Sequence, residues 1–223
     1  ILASVDNIEP DYEAIATPLH FQTAPYTGFK NIKKLKPGSY FVFRNGVIEI
    51  KEYWNIPKGK EIKYIEEDCI EELDFLLNDA IEKQMVSDVP IGVLLSGGLD
   101  SSLIAALMSK NTNKTISSFN IKIKSEDLKK QGIIDDSFYA KKVAEEFGFN
   151  HNEILIEPKI IDLLPKIIYH LDEITVDPAA INTYLISKSA KDTGIKVLLS
   201  GVGADEVFSG YRIHKALKFI YDF

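Results

Sequence analysis

The stretch Ser96-Gly97-Gly98-Leu99-Asp100-Ser101 holds the residue types best suited to chemistry. It follows the apolar run 91–95 and precedes a helical pattern, so it reads as a strand-to-helix turn. Backbone N–H groups at such a turn and helix N-terminus attract phosphate. The turn lacks the Gly-Lys-Ser/Thr ending of a P-loop, so the β- and γ-phosphates must be held differently. We therefore predict an ATP site that cleaves between the α- and β-phosphates and holds pyrophosphate in the turn.

Each side chain of this turn has a predicted role. Gly97 and Gly98 would permit positive φ and close approach of the ligand. Ser96 and Ser101 would hydrogen-bond phosphate oxygens. Asp100 would repel phosphate directly, so we expect it to bind Mg²⁺ that bridges to the phosphates, and we take Asp100 and Ser101 as the catalytic candidates. The alternative is a tight turn with a helix-capping aspartate and no ligand.

A second glycine-rich loop runs over 200–211, again after an apolar strand that ends in Leu-Leu-Ser. Ser200 and Gly201 would face the nucleotide, and Asp205 would be the second Mg²⁺ ligand. Glu206 is expected to be a solvated neighbour or a helix-start acid. Taken alone, this loop is also compatible with a connection that merely places acids at a helix start.

Strand and helix signals alternate along the chain, which predicts an α/β fold with a parallel, doubly wound sheet. In such sheets ligands bind beyond the carboxyl ends of the strands, where both loops would lie. The residue before a proline avoids the α region, so Pro90 ends the first helix. The predicted helices are 64–88, 101–110, 135–147, 160–171 (Pro165 in its first turn), 177–192 and one from Tyr211 onward; the predicted strands are 91–95, 115–123, 153–156 and 196–200.

The first part of the chain differs in its sequence pattern, which is that of a β-hairpin rather than of alternating strands and helices. Segments 39–43 and 47–50 flank Asn45-Gly46, the strongest short-range hairpin signal. A linker follows at 57–60. A lone hairpin cannot form its own core, so it must pack on other residues.

Composition limits the class of protein. The 223 residues carry a net charge of −7, which argues against nucleic acid or an anionic membrane as partner. The single cysteine, Cys69, lies on the apolar face of a predicted helix and is expected in the core; it excludes an intrachain disulfide and favours a reducing, cytoplasmic location. No run approaches the ~20 apolar residues of a membrane span. The histidines show no metal-ligand spacing. The missing initiator Met predicts a piece of a longer protein.

With both loops considered, the chain resembles glutamine-dependent asparagine synthetases over nearly all its length. The pyrophosphate motif matches 96–102, and the second loop matches 200–211 with His214-Lys215-Ala216 after it. Segment 29–54 resembles the end of that family's glutaminase domain. The resemblance implies a remnant of a glutaminase (Ntn-type) domain at 1–57 and, at 58–223, the first part of a synthetase domain with an ATP-pyrophosphatase (adenine nucleotide alpha hydrolase-like) sheet.

The resemblance also implies the chemistry. ATP activates a small-molecule carboxylate as an acyl-adenylate and releases pyrophosphate, and ammonia from glutamine then displaces AMP. Leu94 and Ile121 would contact adenine through backbone groups, and Ser200 and Gly201 would line the nucleotide pocket. Pyrophosphate would lie on Ser96, Gly97, Gly98 and Ser101, with Mg²⁺ on Asp100 and Asp205. Catalysis would rest on positioning and charge neutralisation. A homodimer is compatible with this class.

Three departures from the family pattern leave alternatives open. No cysteine opens the chain, so it should not hydrolyse glutamine by itself. The aspartate-binding residues of the family would lie beyond Phe223. Val202 replaces a glutamate of the aspartate-using members, and valine cannot accept a proton or pair with an ammonium. The alternatives are amidation of another carboxylate, such as a sugar or metabolite acid, a non-catalytic nucleotide-binding module, and a relative that closes a β-lactam ring.

Overall fold

A computed structural model describes residues 7–16, 24–57, 65–123, 136–156, 158–171, 177 and 179–221. The described chain divides into two compact units. The first holds the described residues up to 57 together with those of 159–181, and the second holds those of 65–158 and 182–223. No helix within the described ranges combines the length and the apolar character that a membrane crossing requires.

The predicted hairpin is confirmed in the first unit. Strands β1 (Ser39–Arg44) and β2 (Val47–Glu52) pair in antiparallel fashion. Asn45 and Gly46 both take positive φ, 51° and 79°, as a type I′ turn requires. Side chains on both faces of the hairpin are exposed, which agrees with the expectation that it forms no core alone.

Short helices complete the description of this unit. Helix α1 (Tyr12–Ala16) was not predicted; it begins where the Asp11 carboxylate accepts the Ala14 N–H at 3.0 Å. A 3₁₀ turn (Pro158–Leu163) leads into α5 (Leu164–Leu171), so Pro165 does lie in a first helical turn.

The second unit is built on a four-stranded parallel sheet in the order β5-β4-β3-β6. It confirms the α/β fold class, with observed boundaries within a few residues of those predicted. The strands are β3 (Ile91–Leu94), β4 (Ser117–Lys122), β5 (Asn150–Leu155) and β6 (Val197–Leu199); the helices are α2 (Glu66–Gln84), α3 (Leu99–Lys110), α4 (Asp136–Glu146), α6 (Ala179–Asp192), α7 (Ala204–Phe208) and α8 (Arg212–Tyr221).

Helices cover both faces of this sheet, so it is doubly wound as predicted. On one face, Val93 of β3 packs with buried Leu107 of α3 and Ile81 of α2. Leu95 continues this face against Ala140 of α4. On the opposite face, other buried side chains form a separate cluster between β4 and α6: Phe119, Ile186 and Ala190. Alternation of side chains along each strand sends neighbouring residues to opposite faces, which explains the two clusters.

Other predictions concern single residues, and their outcomes differ. Asp135, the first residue of the predicted helix 135–147, and Pro178, the second residue of the predicted helix 177–192, lie outside the described residues. Asp177 caps the helix that follows it, since its Oδ1 accepts the Ala179 N–H at 2.8 Å. Cys69 is only half-buried rather than a core residue, because much of the apolar face of α2 around it is exposed.

His151 forms a hydrogen bond with the neighbouring strand. Its Nδ1 lies 2.8 Å from the hydroxyl of Ser118, a fully buried residue on the neighbouring strand. Burial lowers the pKa of His151 below its ordinary value of 6.5. Among the described residues, no three His, Cys, Asp or Glu side chains gather as a metal site.

Candidate nucleotide-binding site

Two loops meet at the point where the strand order reverses. β4 lies on one side of β3 and β6 on the other, so the segments leaving β3 and β6 border one crevice at the carboxyl ends of the strands. A cavity of about 250 Å³ opens there. Its lining comes from both loops: Leu94, Ser96, Gly98, Asp100, Ser101, Ser200, Gly201, Val202, Gly203, Asp205, Glu206 and Tyr211.

Hydrogen bonds within the first loop fix its conformation. The Ser96 N–H donates to Ser101 Oγ at 3.2 Å, and the two serine hydroxyls lie 2.9 Å apart. The Ser101 hydroxyl donates to the Gly98 carbonyl at 3.2 Å, and the Gly98 N–H donates to Ser96 Oγ at 3.3 Å. Ser101 is only 4% exposed. Both hydroxyls are therefore engaged inside the turn: because Ser101 donates to Gly98, Ser96 supplies the proton of the bond between the two serines. The two residues differ in burial, since Ser96 is exposed at the cavity and Ser101 is not.

The two glycines of the first loop are used differently. Gly97 has a φ of 88°, as expected of a glycine turn, and a Cβ there would collide with the Asp136 carbonyl and lie 2.8 Å from the Ala140 nitrogen. Gly98 instead has a φ of −74° and is the residue preceding α3. The expectation of positive φ is thus wrong for Gly98, because the chain is already extended as it enters the helix. Its exposed backbone still borders the cavity.

Gly201 joins the second loop to the first. A Cβ at this position would lie 3.0 Å from both the Asp100 Cβ and the Ser101 nitrogen. Such distances are shorter than ordinary contacts, so a side chain at Gly201 would require the second loop or the start of α3 to shift by a few tenths of an ångström. This contact sets the Asp100 side chain beside the loop that carries Asp205.

The charges of the lining favour a bound cation. Asp100, Asp205 and Glu206 all line the cavity, and the lining within the described part of the chain includes no Lys, Arg or His. Carboxylate oxygens are hard ligands suited to Mg²⁺, which is typically held by one or two carboxylates, waters and substrate phosphates. The half-buried Asp100 and Asp205 fit this requirement.

Glu206 has a partner that the sequence pattern did not suggest. The Tyr211 hydroxyl donates to Glu206 Oε1 at 2.5 Å. This hydrogen bond lowers the pKa of Glu206 and raises the pKa of Tyr211. Glu206 is exposed, as the solvated role requires, but its carboxylate is tethered.

The structure gathers most of the predicted residues at the cavity. Leu94, at the end of β3, borders it, whereas Ile121 and Gly97 do not. Ile121 lies near the end of β4 and packs with the cluster beneath α6. Gly203 and Tyr211 were not singled out, although a left-handed glycine at φ 102° before α7 and an aromatic residue closing a glycine-rich loop are signals that could have marked them.

Comparison with known proteins gives the family. The Asparagine synthase family model matches residues 72–222. The chain is 33% identical over 219 residues to asparagine synthetase (glutamine-hydrolyzing) 1 of Bacillus subtilis, covering 96% of this chain and 33% of that protein. It is 34% identical to asparagine synthetase B (glutamine-hydrolyzing) of Escherichia coli, covering 84% of this chain and 35% of that protein. The chain therefore belongs to the asparagine synthase family, and it spans about a third of the length of these two relatives.

Two solved structures align with part of this chain. An NH3-dependent NAD synthetase from Campylobacter jejuni covers 63% of this chain and 60% of its own, with a TM-score of 0.41 and 14% identity. The U34-tRNA thiolase NcsA from Methanococcus maripaludis covers 65% of this chain and 49% of its own, with a TM-score of 0.45 and 18% identity.

Proposed function

We propose that this chain forms the nucleotide-binding part of an ATP-dependent ligase that activates a carboxylate as an acyl-adenylate, releases pyrophosphate and then forms an amide. The observation that carries this is the meeting of the two loops, which places Asp100 and Asp205 on one cavity beside the exposed backbone of Gly98. The domain assignment, 58–223 as the first part of a synthetase domain and 1–57 as the end of a glutaminase domain, belongs to the same proposal.

The roles of the residues follow from their positions. Ser96 and the Gly98 N–H would bind the leaving pyrophosphate at the N-terminus of α3 by exchanging the hydrogen bonds that they make within the turn. Ser200 and Gly201 would bound the other side of the nucleotide. Ser101, engaged within the turn, would shape the loop, and only an exchange of its hydrogen bonds would bring it to phosphate.

Asp100 and Asp205 would hold Mg²⁺, which neutralises charge on the triphosphate when it is bound. The chain's own contribution is to fix these carboxylates where a polyanion must enter. A preorganised site of this kind stabilises the charge that develops as the phosphate bond breaks.

The test is ATP–pyrophosphate exchange by the intact protein with Mg²⁺ and a panel of carboxylates. We expect exchange to depend on the carboxylate and, once ammonia or glutamine is added to displace AMP from the acyl-adenylate, the products to be AMP, pyrophosphate and the amide. Formation of ADP and phosphate would contradict the proposal. ATP binding without exchange for any carboxylate would favour a non-catalytic nucleotide-binding module.

Val202 supports a second candidate, amidation of a carboxylate other than aspartate. Its side chain is 87% exposed at the cavity and offers no hydrogen bond or charge to an amino-acid substrate. By resemblance, aspartate-using enzymes place glutamate here. Exchange that requires aspartate would rule this candidate out, whereas exchange with a sugar or metabolite acid alone would support it.

A further inference from the structure

The turn Ser209-Gly210-Tyr211 folds back over the two acids at the start of α7. Ser209 takes a left-handed φ of 62°, which reverses the chain directly after the helix. The Gly210 N–H donates to the Asp205 carbonyl at 3.3 Å. The turn therefore lies against the residues that border the cavity.

Gly210 packs directly on the Asp205 carboxylate. A Cβ at Gly210 would occupy the position of Asp205 Oδ1. A side chain at position 210 would force this carboxylate into another rotamer, so the glycine turn is matched to the direction in which Asp205 now points.

Tyr211 acts on the neighbouring acid. Its hydroxyl is bonded to Glu206 Oε1 at 2.5 Å, while its ring meets His214 edge to face with centroids 5.4 Å apart. The Tyr211 carbonyl accepts the His214 N–H at 3.0 Å, at the start of α8. The Tyr211 ring thus packs against His214, and its hydroxyl is hydrogen-bonded to the Glu206 carboxylate.

We propose that Tyr211 is a positioning residue that holds the Glu206 carboxylate aside, so that Asp205 alone of the two adjacent acids faces the metal–nucleotide complex. This inference rests on the proposed function. Glu206 has several rotatable bonds, and an untethered carboxylate at this cavity would either repel the triphosphate or compete with Asp205 as an oxygen ligand. Tying one of its oxygens to the phenol occupies that oxygen and restricts where the charge can lie, which limits both effects.

A double-mutant cycle on Mg·ATP binding to the intact protein, followed by calorimetry, tests this. We expect Tyr211→Phe to weaken binding about three- to tenfold. In a Glu206→Ala background the same substitution should have no further effect, because the carboxylate that the hydroxyl restrains is gone. A merely structural role for Tyr211 would weaken binding equally in both backgrounds. Tyr169→Phe is the matched control, since Tyr169 also meets a histidine edge to face but does not line the cavity.

Further variants keep the test decisive. If Tyr211→Phe does not fold, Glu206→Asp shortens the acid out of reach of the hydroxyl while keeping its charge, and it should weaken binding similarly. Unchanged affinity in these variants, with normal binding by the wild type, would overturn this inference alone. Failure of the wild type to bind Mg·ATP would overturn the proposed function and this inference with it.

Discussion

Gly201 and Asp100 lie so close that a single methyl group on the glycine would stand 3.0 Å from the aspartate Cβ. These residues follow different strands, β6 and β3, which are neighbours in the sheet. The contact therefore joins the two loops of the candidate site. The backbones approach this closely because residue 201 has no side chain.

Gly201→Ala should separate the loops. The added Cβ must push against the Asp100 Cβ and the Ser101 nitrogen, both at 3.0 Å, and displacement of either moves a proposed ligand group. We expect Mg·ATP affinity to fall about tenfold or more, measured by calorimetry. Val207→Ala, which shortens an exposed side chain on α7 outside the cavity lining, should bind like the wild type. Equal affinity for Gly201→Ala and wild type would show that the contact is not needed.

Gly97→Ala should destabilise the fold itself. The residue has a φ of 88° and packs on the start of α4, so alanine adds both backbone strain and a collision. We expect a loss of about 3 kcal/mol in the free energy of unfolding. Gly98→Ala is the matched control, because φ is −74° and the nearest contact of a Cβ would be Ser96 Oγ at 3.5 Å; its cost should be about 1 kcal/mol or less. Urea unfolding that gave both variants the same stability would contradict this reading.

Asp100→Asn and Asp205→Asn should weaken ATP binding only when Mg²⁺ is present. Each removes a carboxylate from the proposed metal site, and we expect about tenfold or greater loss of affinity. With Mg²⁺ chelated, the same variants should bind ATP as well as the wild type or better, because a charge that repels the phosphates is gone. Asp192→Asn, an exposed acid at the end of α6, controls for net charge. Equal losses with and without the metal would remove these aspartates from the ligand set.

His151 should make stability depend on pH. Burial lowers its pKa in the folded state, so the unfolded chain binds the proton more tightly. Its contribution is therefore complete above the unfolded value of about 6.5 and is lost as pH falls below that value towards the folded pKa. Denaturant unfolding at a series of pH values should show this loss, and a His151→Gln variant should lack that component. A component of the same size in the variant would exclude His151 as the source.

The local elements of the fold were predictable because their signals are local. Asn45-Gly46 fixed the hairpin turn, and the apolar run ending at Leu95 marked a strand buried against helices. The five-residue helices α1 and α7 carry no buried residue, so neither has an apolar stripe that periodicity could detect.

Which residues line the site could largely be predicted from the sequence, whereas the hydrogen bonds among them could not. Ser96, Asp100 and Asp205 do meet at one cavity, since both loops leave neighbouring parallel strands. The bond from Tyr211 to Glu206 depends on the reversal at Ser209, and the inward hydroxyl of Ser101 depends on how the turn closes. Neither hydrogen bond can be predicted from the periodicity or spacing of residues, because each depends on the path of the backbone in the folded chain.

The shortness of β6 has a consequence for how the site opens and closes. This strand has only three residues and lies at one edge of the sheet that the described residues form, yet the second loop depends on it for its place beside the first. Its pairing with β3 also joins segments far apart in sequence, and such contacts form late and slowly in folding. Fraying of this one edge would disconnect Asp205 from Asp100 while β3, β4 and β5 stay paired, so amide protons of β6 should exchange sooner than those of the central strands. Nucleotide binding should then slow amide exchange most in β6, because the nucleotide can contact both loops only while β6 is paired with β3.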